Sequence, residues 1–165
     1  MKELLELVFK VGLVGIGATL ILDLWSLALK TVFRVPFPNY TMVGRWIGYF
    51  PRGRFVHKSV AAAPAVDAER LIGWIAHYGI GILYAGLLVA FVGADWLSAP
   101  TALPALIIGI VSVAAPFFIM QPAMGAGFAS SKAEKPNVAR ARSLAAHAAF
   151  GLGLYLSAVV AVSLA

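Results

Sequence analysis

Four long apolar segments limit what this chain can fold into more than any other feature of its sequence. Each is close to the roughly 20 apolar residues that a helix needs to cross the hydrocarbon core of a bilayer. A membrane-spanning strand would alternate apolar and polar residues, and these segments do not. Only helices and closed barrels satisfy their backbone hydrogen bonds in lipid, so the segments predict helices. They cover residues 11–29, 71–92, 102–120 and 144–164.

The composition supports an all-α integral membrane protein with four transmembrane helices in a bundle. Hydrophobic residues make up 61% of the chain and charged residues only 12%, whereas a soluble domain carries about 25% charged residues. Disorder is excluded because it requires low hydrophobicity. The chain has no cysteine, which excludes disulfides and thiolate metal sites. We expect residues 1–165 to form a single membrane domain.

Basic residues are concentrated in two of the loops that connect the apolar segments. The loop of residues 30–70 contains seven Lys or Arg residues, and residues 93–101 contain none. The positive-inside rule therefore predicts that both basic loops lie in the cytoplasm and both termini on the outer side. The net charge of +6 then indicates the bilayer surface as partner, and not nucleic acid. The second basic loop carries Lys132, Lys135, Arg140 and Arg142.

The long loop of residues 30–70 combines these cations with aromatic residues, which is typical of an amphipathic segment lying on the inner leaflet. Residues 44–63 are expected to supply a short surface helix that is broken at Pro51. One interpretation is a solvated loop that does no more than satisfy the charge rule. The other is recognition of an anionic group or an anionic lipid headgroup, for which the candidates are Arg45, Arg52, Arg54 and His57.

Three ionisable residues fall inside the apolar segments, where such residues are rare and indicate function. Asp23, His77 and His147 each lie five to seven residues from a basic residue at the predicted cytoplasmic end. At about 1.5 Å per residue, all three would lie roughly 7–10 Å inside the membrane. We predict a polar site at this depth, with Asp23 as counter-ion and the histidines carrying protons or binding a ligand. Other candidates for this site are Tyr84, Tyr155 and Gln121.

Several interpretations of this polar site stay open. The three ionisable residues are candidate ligands for a metal ion, and the two histidines are candidate ligands for haem iron. The protein would then be a haem or metal protein, or an enzyme, at the inner leaflet. The site could instead only hold the helices together, as in a structural accessory subunit. Because a bundle of 165 residues is small for a transporter, a homodimer is a further possibility.

Short motifs in the first half of the chain resemble the bacterial membrane proteins grouped as domain-of-unknown-function family 2938. The resemblance covers nearly the whole chain, and it implies a small inner-membrane protein of four helices without supplying an activity. Asp23, Arg45, His57 and His77 lie within these motifs, and His147 lies outside them. The motifs are Gly17-Ala18-Thr19 with Asp23-Leu24-Trp25, Gly44-Arg45-Trp46, Gly53-Arg54-Phe55-Val56-His57, and Gly73-Trp74 with His77-Tyr78-Gly79.

The function expected from the sequence is to bind or pass a small ligand, an ion or a proton. The expected place is an intramembrane Asp/His site near the cytoplasmic leaflet.

Overall fold

The computed structural model describes residues 1–163, and all regular structure in that range is helical. Short 3-10 turns follow the second and third helices and precede the last one. A π-helical stretch, Pro116–Met120, lies between the fourth and fifth helices. The helices are α1 Lys2–Phe33, α2 Tyr40–Gly48, α3 Glu69–Val92, α4 Ala102–Val111, α5 Gln121–Met124 and α6 Pro136–Ser163.

Four helical segments are long and apolar enough to cross a membrane. Large apolar side chains on them remain exposed, such as Leu83 at 58% and Ile107 at 51%. Exposed apolar surface on every long helix is expected where lipid covers the outside. The chain is therefore a multi-pass membrane protein, which confirms the predicted fold class. The four segments are Lys2–Phe33, Glu69–Val92, Ala102–Met124 and Pro136–Ser163.

The first and last spanning helices are longer than the apolar segments that predicted them. The helix α1 starts at Lys2 and α6 starts at Pro136, whereas the apolar runs start at residues 11 and 144. Charged residues continue a helix beyond its apolar part at little cost, because Lys, Arg and Glu are good helix formers. Proline is also favoured in the first turn, where its missing N–H is not needed.

The surface helix expected in residues 44–63 is placed differently in the structure. It is α2, which starts at Tyr40 and ends at Gly48, and a 3-10 turn over Phe50–Arg52 follows it. The expected break at Pro51 falls in that turn, in the first positions where proline is tolerated. The sequence does carry a start signal there, because asparagine is favoured at the N-cap, although the Asn39 side chain makes no cap hydrogen bond.

The described residues group into two compact units. We call the first, comprising Met1–Phe37, Tyr78–Ser112 and the described residues from Ala145 onward, the bundle unit. The second, comprising Pro38–His77 and Val113–Leu144, is called the loop unit.

Glycines bring the helices of the bundle unit into backbone contact. A Cβ atom at Gly15 would lie 2.5 Å from Cα of Ile82, so α1 and α3 touch there. A Cβ atom at Gly153 would lie 2.9 Å from Cα of Ala18, where α6 meets α1. At the contact of α4 with α6, Gly109 faces the backbone of Gly151. Small residues at such crossings allow the close approach that holds helices together in membranes.

The loop unit is organised by contact between α2 and the first turns of α3. A Cβ atom at Gly44 would overlap the carbonyl group of Glu69, and one at Gly73 would overlap the carbonyl oxygen of Tyr40. Backbone hydrogen bonds attach the segment after α2 to α5, with the N–H of His57 donating to the carbonyl of Ala123 at 2.7 Å. The long loop is therefore a packed structure of its own.

Candidate functional site

In the bundle unit, Asp23 of α1 interacts with a tyrosine of α3. The hydroxyl of Tyr78 donates a hydrogen bond to Oδ2 of Asp23 at 3.0 Å. Both side chains are half-buried, and both belong to helices that span the membrane. This contact joins an ionisable carboxyl to a neutral hydroxyl within the spanning part of the protein.

A second polar cluster joins α3, α4 and α6 in the same unit. Oγ of Ser112 lies 2.6 Å from Nδ1 of His147 and also 2.6 Å from the carbonyl oxygen of Gly109. A serine hydroxyl has one proton. When it donates to Gly109, His147 must therefore present an N–H at Nδ1. Tyr84 completes the cluster, because its hydroxyl lies 3.5 Å from the carbonyl oxygen of Ser112.

The third spanning segment is interrupted at this cluster. Regular α-helix ends at Val111, and a π-helical stretch starts at Pro116. Proline has no N–H, so Pro116 cannot donate to the carbonyl of Ser112 four residues earlier. That carbonyl is the acceptor that Tyr84 approaches. Interrupted backbone inside a membrane segment is tolerated where the protein satisfies it, and π turns are frequent at functional sites.

The two polar clusters lie along one helix. Tyr78 and Tyr84 are six residues apart on α3, which corresponds to about 9 Å along the helix axis. Thr19 is a further hydroxyl-bearing side chain at the contact of α1 with α3. It is buried, donates to the carbonyl of Gly15 at 2.8 Å and faces Gly81. The bundle unit thus contains hydroxyl, carboxyl and imidazole groups over about two helical turns.

The structure also gives contacts for the three other candidates from the sequence. His77 belongs to the loop unit and stacks on Tyr40, with ring centroids 3.9 Å apart. Gln121, also in the loop unit, accepts a hydrogen bond from Ser130 at 3.0 Å. Tyr155 packs half-buried against the apolar core of the bundle unit. Within residues 1–163, no three His, Asp or Glu side chains are grouped so that they could hold a metal ion.

In the loop unit, the structure gives Arg45 a role in holding the chain together. Its Nε and one Nη each donate to a carboxylate oxygen of Glu69 at 2.8 Å. The other Nη donates to the carbonyl oxygens of Ala61 and Ala63. Hydrogen bonding to the Glu69 carboxylate raises the pKa of Arg45. With its donors directed to these partners, Arg45 fixes residues 61–69 against α2. It is therefore not a candidate for binding an anion, in contrast to the sequence prediction.

The remaining loop candidates meet at Tyr49. The guanidinium carbons of Arg52 and Arg54 lie 5.2 and 5.4 Å from the centre of the Tyr49 ring. The ring of His57 lies 4.9 Å from the same ring, at a steep angle. His57 is only 3% exposed. Burial, and then the positive charge of Arg54, lowers the pKa of His57. Two exposed cations and one buried imidazole therefore share one tyrosine.

Most of the chain matches one known protein family. The family described as Protein of unknown function (DUF2938) matches residues 12–161. The chain belongs to this family. The match confirms the resemblance noted in the sequence, and it covers every candidate site residue of this DUF2938 protein. No curated protein and no solved structure matches the chain.

Tyr78 and Ser112, which contact the candidates Asp23 and His147 in this DUF2938 protein, are not among the candidate site residues from its sequence. Tyr78 follows His77 directly, and a tyrosine in an apolar helix is usually taken for an interfacial or core residue. Ser112 is a small polar residue in an apolar segment, which is common in membrane helices. The sequence signal for a contact at Ser112 is its spacing from Pro116. A proline has no N–H to bond the carbonyl four residues earlier, so the carbonyl of Ser112 is left for another donor.

The stability of the DUF2938 protein is expected to fall in mild acid because of His57. Folding lowers the pKa of this ring. Below its ordinary pKa of 6.5, the unfolded chain therefore binds a proton more readily than the folded chain does. The stabilisation from the neutral ring is present above that pH and is lost as the pH falls. The measurement is the thermal midpoint in neutral detergent at mildly alkaline and mildly acidic pH. In His57→Phe, which keeps an aromatic ring there, the midpoint should depend less on pH; an unchanged dependence would contradict this assignment.

Proposed function

We propose that this protein binds or passes protons or a small cation at the ionisable side chains of its bundle unit. The observation that carries the proposal is the contact between Asp23 and Tyr78, which joins two membrane-spanning helices through a carboxyl group. Ionisable side chains inside membrane segments are costly, and they are typical of ion pathways and proton relays. The proposed orientation places the basic loops in the cytoplasm.

The chemistry of the neighbouring groups supports proton transfer. A tyrosine or serine hydroxyl can donate and accept hydrogen bonds at once, and so can a neutral imidazole through its two nitrogens. Asp23 and His147 are the titratable ends of this set, with Tyr78, Tyr84 and Ser112 as hydroxyl groups that contact them or lie beside them. Carboxylate oxygens are also ligands for small hard cations.

The interrupted third span is a second support. In transporters, ion sites lie where a spanning helix is broken and its freed carbonyl groups face the site. The carbonyl of Ser112 is freed by Pro116 and lies near the hydroxyl of Tyr84. The same serine contacts His147 through its side chain. A titratable ring and a freed carbonyl are therefore adjacent at the break.

The test uses the full chain in lipid vesicles that contain a pH-sensitive dye. A potassium diffusion potential drives protons inward, and the rate of acidification is compared with that of protein-free vesicles. Wild-type protein is expected to accelerate acidification. Asp23→Asn should bring the rate down to that of protein-free vesicles, because an amide cannot exchange a proton at this position. Tyr78→Phe should reduce the rate less, since it removes one hydrogen bond and keeps the carboxyl group.

The matched control is Asp95→Asn, which removes the same charge from an exposed turn between α3 and α4. It should leave the acidification rate unchanged. Cation binding is tested on the same proteins by the shift of the thermal midpoint with sodium or lithium. The proposal is contradicted if wild-type protein shows neither proton flux nor a cation-dependent midpoint that Asp23→Asn loses. In that case the polar contacts only hold the helices together.

A further inference from the structure

Two cations of the loop unit lie near the same tyrosine ring and have no acidic partner. Arg52 and Arg54 flank Gly53, which has a positive φ of 67° and reverses the chain between them. Both guanidinium groups lie near the ring of Tyr49. Within residues 1–163 neither arginine forms an ion pair, in contrast to Arg45, which pairs with Glu69. Two like charges gathered in this way favour an anion beside them.

His57 supplies an independent observation at the same place. It is 97% buried, and within the described residues neither ring nitrogen has a hydrogen-bond partner. A buried polar group without a partner costs free energy, and native proteins rarely leave one. The ring borders Tyr49, and the charge of Arg54 acts on it. An acceptor oxygen held at these arginines would supply the missing partner once the His57 ring, whose nitrogens are closed to solvent, turns toward it.

The backbone around these side chains is held in place by hydrogen bonds. The indole N–H of Trp46 donates to the carbonyl of Phe55 at 2.7 Å. The hydroxyl of Tyr49 donates to the carbonyl of Pro64 at 3.0 Å. The N–H of His57 donates to the carbonyl of Ala123, from the other part of the loop unit. The backbone that carries these side chains is therefore held in place before a ligand arrives, which reduces the entropy that binding costs.

The residues next to the cations indicate where the anion comes from. Phe55 is 55% exposed and Val56 is 68% exposed, and both follow Arg54 directly in the chain. Exposed apolar side chains beside basic ones are typical of segments that enter the interface of an anionic bilayer. A site for a soluble anion has no need of them.

We infer that Arg52, Arg54 and His57 bind the phosphate group of an anionic phospholipid. The two arginines supply charge and paired donors that match phosphate oxygens. His57 supplies a buried N–H donor, and Phe55 and Val56 contact the acyl region of the same leaflet. This site lies in the loop unit, and it does not depend on the proton or cation site proposed for the bundle unit.

The test titrates phosphatidylglycerol into the full-length protein in neutral detergent and measures the shift of the thermal midpoint. Phosphatidylcholine and inorganic phosphate are titrated in parallel. The double variant Arg52→Gln, Arg54→Gln is compared with Lys132→Gln, Lys135→Gln, which removes the same charge from exposed positions of the same unit. Two charge-assisted hydrogen bonds are expected to be worth about tenfold or more in affinity.

The inference is supported if phosphatidylglycerol raises the midpoint and the arginine variant needs at least about tenfold more of it, whereas the lysine variant behaves as wild type. It is overturned if both double variants weaken binding equally, because surface charge alone then explains it. Binding of inorganic phosphate as tight as that of the lipid would overturn the lipid assignment, and equal binding of phosphatidylcholine would overturn the anionic one. His57→Phe should weaken lipid binding several-fold while the lipid-free protein stays folded; unchanged affinity would remove His57 from the site.

Discussion

Gly44→Ala is expected to disrupt the packing of α2 against the start of α3. The added Cβ atom would overlap the carbonyl group of Glu69 and lie 2.6 Å from the backbone nitrogen of Gly73. Backbone atoms at both ends of this contact cannot move aside as a flexible side chain does. Overpacking of this kind costs about 1–3 kcal/mol and occasionally more, and we expect the upper end here. The measurements are the thermal midpoint in detergent and the rate of tryptic cleavage after Arg52, Arg54 and Lys58.

The matched control for Gly44→Ala is Gly79→Ala. Gly79 also lies in a helix, but a Cβ atom there would have nothing within 4 Å. Alanine is favoured over glycine in a helix by roughly 1 kcal/mol, so this variant should be neutral or slightly more stable. Equal midpoints and equal cleavage rates for the two variants would show that the contact of Gly44 with α3 is looser than described.

The second large effect is expected from separating Arg45 and Glu69. Their side chains are 13% and 15% exposed and form a bidentate pair. Arg45→Met should lower the thermal midpoint by several degrees, and so should Glu69→Met, because each leaves one charge of the pair without its partner. The double variant removes both charges. Its midpoint should therefore fall by less than the sum of the two single changes, which a double-mutant cycle measures.

An exposed pair in the same protein serves as control for this cycle. Lys10 and Glu6 are one helical turn apart on α1, with side chains 31% and 64% exposed. Exposed pairs of this type contribute little to stability, so Lys10→Met and Glu6→Met should show small, additive effects. Additive effects at Arg45 and Glu69 as well would mean that the two side chains do not act as a pair.

The spanning helices could be predicted from the sequence because the bilayer sets a length that apolar residues must reach. The ends of these helices could not be predicted in this way, since residues 2–10 and 136–143 form helix through propensity and packing and not through an apolar run. The interruption after Val111 depends on how Ser112 and Pro116 are arranged. A proline alone is compatible with either a kink or a continued helix.

The types of residue in the candidate site could be predicted from the sequence, but their contacts with one another could not. Asp23 and His147 stood out because ionisable residues are rare in apolar segments. Their contacts with Tyr78 and Ser112 depend on which helix faces meet, and glycines at Gly15 and Gly109 decide that. In the loop, composition showed a basic aromatic segment. It could not separate Arg45, which pairs with Glu69, from the arginines that have no acidic partner.

The glycine contacts between the long helices have a thermal consequence. The outer faces of these helices already meet lipid, so pulling the helices apart within a bilayer would bring little apolar surface into water. Separating the helices removes the van der Waals attraction between closely packed backbones, as at Gly15 with Ile82 and at Gly153 with Ala18. A large heat-capacity change on unfolding arises from hydration of apolar surface. The free energy that keeps these helices together should therefore vary only gently with temperature, without the curvature that leads soluble proteins to cold denaturation.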